Sequence, residues 1–157
     1  MALNTPAGQN ERYWYMHNTV QAHVVMHLVV SDELSFRILV DLEYDAEDPY
    51  AVAFTFHLPG DAPVTWVFAR ELLVDGISRP TGEGDVHIHP VGEELGEVAI
   101  VLHSPEGDAR MRAGVPPLIA FLARTDRVVP MGQETIGVEL DTQLASILAA
   151  PGRENAG

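Results

Sequence analysis

The chain has 157 residues, 46% hydrophobic and 20% charged, the proportions of one soluble domain long enough to bury a core. It has no cysteine, which excludes disulfides, thiolate nucleophiles and cysteine-held zinc or iron–sulfur centres. The formal net charge is −14, with nine arginines and no lysine, so direct contact with nucleic-acid phosphates or anionic lipid is disfavoured.

Residues 1–17 are expected to form an N-terminal extension. They lack the basic patch and apolar stretch of a secretory signal. Their YWYM at 13–16 is too aromatic for a purely solvated tail and is expected to pack on this subunit or a neighbour. The most apolar run, VVMHLVV at 24–30, is too short to span a bilayer, and a cytoplasmic protein is expected.

From Val20 the chain alternates for eleven residues, which predicts a strand. Val20, Ala22, Val24, Met26, Leu28 and Val30 share its inner face, and Gln21, His23, Val25 and His27 the other. After the turn SDELS come FRILVDLEY (36–44), with Phe36, Ile38, Val40, Leu42 and Tyr44 inward, and YAVAFTFHL (50–58), with Tyr50 through Leu58 inward at every second residue. PGDAP (59–63) turns into VTWVFA (64–69), where Trp66 reads as a core residue. Four strands with short connections predict an antiparallel meander.

ARELLVDG (69–76) is helix-like for one or two turns. A fifth strand is expected around Asp85–Val91, a sixth over 98–103 and a short seventh near ARMRA (109–113). Pro116 and Pro117 suit a helix's first turn. Leu118, Phe121, Leu122 and Thr125 then form an apolar stripe over 116–126, with Arg124 and Arg127 favourably placed near the C-terminus. Asp141 can cap a last helix whose stripe is Leu144, Ile147 and Leu148, before Pro151-Gly152 and a C-terminal tail at 151–157. The fold class is α+β: about seven antiparallel strands in a packed, barrel-like sheet, with C-terminal helices, in a single domain over 18–150.

Candidate sites centre on TGEGDVHIHP (81–90). It is not a dinucleotide loop, because His87 stands where a third glycine is needed and the loop opens a strand rather than a helix. A metal site is conceivable. If Val91 pairs with Glu97, then Asp85, His87, His89 and His103 share one face, a donor set that suits zinc. A slip of one residue would scatter them, and the plainer reading is a polar hairpin face. His23 and His27 lie about 13 Å apart along a strand, too far to share an ion. No Gly-x-Ser-x-Gly elbow marks a hydrolase. Arg70, Arg79 and Arg112 stand out as isolated cations and are weak candidates for protein contact, with a local salt bridge the expected role of each.

DPYAV (48–52), TWVFARELLVDGISRPTGEGDVHIHP (65–90), SPEGDA (104–109) and FLARTDRVVPMG (121–132), in this order and spacing, resemble the SsgA-like protein family of actinomycetes, nearest its SsgB branch. The resemblance covers about Asn18 to Leu148. It implies a non-enzymatic role in sporulation-specific cell division, without cofactor: marking the septum site and recruiting the tubulin-like GTPase FtsZ, whose polymerisation is promoted there. Also implied are positioning by an SsgA-like relative, a homo-oligomer with a trimer favoured, and a β-sheet core similar to the whirly single-strand-binding architecture. Two departures stand out: the first fifteen residues extend beyond the family's usual start, and His87 and His89 replace arginine or aromatic residues. On this reading Arg79, Pro80, Gly82, Gly84 and Asp85 form a tight turn whose glycines supply backbone freedom, and HIHP is the strand after it. Two rival classes remain: a single-stranded nucleic-acid binder, and a metal-dependent enzyme using the His87, His89 and His103 face.

Overall fold

The structure, a computed structural model, describes residues 18–135 apart from Leu95. The expected extension at 1–17, the helix after Asp141 and the tail lie outside the described residues.

Among the described residues, eight strands and two helices run in the order β1 (Thr19–Ser31), β2 (Leu34–Asp45), β3 (Ala51–His57), β4 (Val64–Ala69), α1 (Arg70–Ser78), β5 (Thr81–Glu83), β6 (Val86–Val91), β7 (Glu97–Ser104), β8 (Gly107–Gly114) and α2 (Val115–Val128). The strands make one antiparallel sheet in the order β4-β3-β2-β1-β8-β7-β6-β5, curled as a half-barrel. Each half is thus a four-stranded meander followed by a helix, and the halves join where β1 meets β8. The predicted α+β class and first meander are observed. The eighth strand is β5, which lies inside the predicted glycine turn: Thr81, Gly82 and Glu83 pair with Ile88, His87 and Val86. Composition hid it, because glycine and charge are depleted in strands; pairing with β6 imposes the conformation.

Period-two alternation builds the core. Met26, Val40, Leu42, Phe54, Ile100 and Leu118 are at most 1% exposed. Trp66 is partly buried against this core, as expected. Three residues predicted inward are open instead. Tyr50 precedes β3 in a turn, while Phe36 and Val30 lie at the far end of the β1–β2 hairpin, where nothing described covers them.

The helices cross over. α1 follows the first half but packs on β5 and β6 of the second, and α2 follows the second half but packs on β1. Gly76 sets the first contact, since a side chain there would overlap Ile88 on β6. Pro116 and Pro117 occupy α2's first turn and Leu118, Phe121 and Thr125 its buried stripe, as the spacing predicts.

Candidate functional site

The register arranges the outer face of the sheet into rows across the strands. One row runs Arg37, His27, Arg112, Ala99, His89 from β2 through β1, β8 and β7 to β6. The next runs Ser35, Val29, Arg110, Val101, His87, Gly82. Three of the nine arginines and three of the seven histidines therefore gather at the centre of an acidic chain. Arg112 is tied to Glu97 at 2.7 Å, an exposed pair that contributes little to stability. Asp32, Glu33, Arg110 and Arg112 share a cleft of about 370 Å³ beside the β1–β2 hairpin, so the local charge is mixed rather than uniformly positive.

A second cluster lies in the first half. Asp41 on β2 accepts hydrogen bonds from His23 on β1 at 2.6 Å and His57 on β3 at 2.7 Å. His23 is directly opposite Asp41, and His57 is diagonal to it, two residues beyond Thr55. The hydrogen bonds from His57 and His23 hold the Asp41 carboxyl below its ordinary pKa. This three-strand bridge escaped sequence reading, which set His23 only against His27; finding it requires the register of β1, β2 and β3 together. Beside it Val25 faces Leu39, and both are exposed.

The predicted pairing of Val91 with Glu97 is observed, and the His103 N–H donates to the Asp85 carbonyl at 2.8 Å. The side chains do not converge on one point. His103 pairs with Asp108 at 2.8 Å, and its ring meets the His87 ring edge-on with centroids 5.1 Å apart. Among the described residues no group of three or more His, Asp or Glu is gathered as a metal ion would need. In the turn, Gly84 has φ +61°, the backbone freedom expected of it. Gly82 serves differently: the His87 ring lies over it, where a Cβ would collide. Arg79 caps the C-terminal end of α1 and pairs with Asp75 at 3.4 Å.

Arg70, a weak candidate for protein contact with a local salt bridge as its expected role, does form a salt bridge, but it is fully buried and the carboxylate is the distant Glu134. It starts α1, donates to Glu134 Oε2 at 2.7 Å, the Val129 carbonyl at 2.8 Å and Thr125 Oγ1 at 3.3 Å, and lies 4.8 Å from the centre of the Tyr44 ring. Burial raises the Tyr44 pKa to about 12. Burial alone would also raise that of Glu134, but hydrogen bonds from Arg70 and backbone N–H groups, with the Arg70 charge, hold it below the ordinary value. The cation is therefore a clasp between the start of α1 and the segment after α2, and no partner can reach it there.

A family model described as Streptomyces sporulation and cell division protein, SsgA, matches residues 38–134. The chain is 47% identical over 135 residues to the sporulation-specific cell division protein SsgB of Streptomyces coelicolor, covering 85% of this chain and 98% of that one. It is 44% identical over 133 residues to SsgB of Thermobifida fusca, covering 83% and 96%. The fold is similar to the crystal structure of an SsgA-like sporulation-specific cell division protein from Thermobifida fusca, with TM-score 0.74, 43% identity and coverage of 82% and 94%. A structure concerned with mutations in SsgB of Streptomyces coelicolor that correlate to longitudinal cell division gives TM-score 0.71 at 47% identity, covering 74% and 93%.

Proposed function

The chain belongs to the SsgA family of sporulation and cell-division proteins and is SsgB-like, and on that premise we propose that it is a non-enzymatic adaptor that recruits FtsZ to the sporulation septum and promotes its polymerisation. The observation that carries this reading is that similarity runs through 98% of the Streptomyces coelicolor relative, so the match is to a whole protein rather than a shared module. The exposed surface suits such a role: apolar Val25 and Leu39 stand beside histidines and arginines at the middle of an open sheet. A homo-oligomer, with a trimer favoured, presents several copies of one weak FtsZ-binding surface and aligns protofilaments through avidity. An SsgA-like relative places it at the septum, and contact with the membrane is indirect, since a net charge of −14 disfavours contact with anionic lipid.

The test is a pelleting assay with purified FtsZ and GTP at moderate salt. Co-sedimentation with more FtsZ polymer in the pellet is the expected result. Absence of binding by every oligomeric form of the protein would overturn the FtsZ reading.

A further inference from the structure

The curled sheet does not close. Its two ends, β4 and the β5–β6 hairpin, face each other across a groove of about 340 Å³. One wall is β4 from Trp66 to Ala69, the other is Glu83 to Val86, and Leu72 of α1 lies between. Phe68, Leu72 and Val86 belong to the core, so the groove opens directly onto buried apolar surface.

β4 pairs with β3 on one side only, and among the described residues no strand occupies its other edge. Soluble proteins commonly guard such an edge with charge, proline or a bulge. The strand VTWVFA has none of these: it carries no charge and no proline, and its pairing runs unbroken from Val64 to Ala69. Val64 and Val67 are 41% and 61% exposed on it. The opposite wall brings two exposed carboxylates, Glu83 and Asp85, and among the described residues no basic one lines the groove.

We propose that this seam receives an extended segment of another protein, alternating apolar and basic residues, as an added strand on β4. Main-chain hydrogen bonds to the free edge supply affinity, and alternate side chains supply selectivity. Apolar ones enter toward Leu72 and Phe68, and Lys or Arg meets Glu83 and Asp85. An acidic segment is refused by those carboxylates and by the charge of −14 behind them.

The test uses the full, isotope-labelled chain in solution and follows backbone amide NMR signals. The probe is a blocked octapeptide alternating valine and lysine. Two controls have glutamate in place of lysine, or N-methyl groups on alternate amides. The expected result is shifts at Val64–Ala69 and Glu83–Val86 with the first peptide, and at least tenfold weaker binding of both controls. Val67→Lys, an exposed change outside the core, is expected to weaken binding about tenfold with thermal unfolding unchanged. Glu83→Gln gives a smaller loss in the same direction. Equal binding of the lysine and glutamate peptides, shifts elsewhere, or no shift at millimolar peptide overturns the proposal. So does a change in sedimentation mass on Val67→Lys, which would make β4 a contact between copies, or binding that emerges only when residues 136–157 are removed. Because the assay contains no FtsZ, its outcome is separate from that of the pelleting experiment.

Discussion

The two halves of the sheet have one plan and different contents. The first, β1–β4, has long central strands and an aromatic interior in which the Phe54 ring meets Phe56 and Phe68 edge-on, at centroid distances of 6.3 and 4.9 Å. The second, β5–β8, is shorter and filled with Val86, Ile88, Val98, Ile100 and Leu102. Their solvent faces diverge too: a histidine–aspartate bridge with exposed Val25 and Leu39 on the first, arginines and a pair of histidine rings meeting edge-on toward the second. A similar layout thus tolerates different side chains wherever they face water or their own neighbours. It is strict where one half bears on the other, at Gly76 against Ile88 and at Arg70 against the end of α2.

Breaking that join gives the largest expected effect. Arg70→Ala leaves Glu134 and the Val129 carbonyl without their buried cation and is expected to cost about 3–5 kcal/mol in urea unfolding. Arg70→Met, which fills the space, should cost less. Gly76→Ala forces α1 away from Ile88 and should cost about 1–3 kcal/mol, slightly relieved by alanine's better helix propensity. Gly82→Ala acts within the second half alone. It displaces the exposed His87 ring at about 1 kcal/mol, and His87→Ala in the same molecule should recover most of it, which a double-mutant cycle measures.

The smallest effect is the pH response. The carboxyls of Glu134 and Asp41 are both held below their ordinary pKa in the fold, so in acid the unfolded chain binds more protons. Their contribution is complete above the unfolded values, about 4, and is lost as pH falls through the lower folded ones. Denaturation between pH 6 and 3 should therefore show stability falling on acidification. Glu134→Gln should flatten this slope more than Asp41→Asn, because Asp41 is exposed and screened.

Alternation made β1 to β4 legible, and the Val91–Glu97 pairing, supposed for the β6–β7 hairpin, is the observed register although nothing in the sequence excluded a slip of one residue. Three features did not follow. β5 is set by its neighbour against its own composition. Arg70 looks like a surface cation because its partners lie 55 to 64 residues away, at Thr125, Val129 and Glu134. The Asp41 bridge depends on three strands, whereas alternation describes each strand alone. The residues carrying the resemblance, TWVFARELLVDG above all, turn out to contain the clasp and the close helix contact, so their pattern records packing at least as much as any partner.

Because each helix lies on the half it does not follow, a cut between Ser78 and Thr81 would separate two fragments that each carry the lid of the other. Neither fragment covers its own sheet, yet together they retain every described contact except the severed peptide. Such a pair is suited to reassociate on mixing, and reconstitution from two coexpressed pieces would turn the crossover into a split reporter.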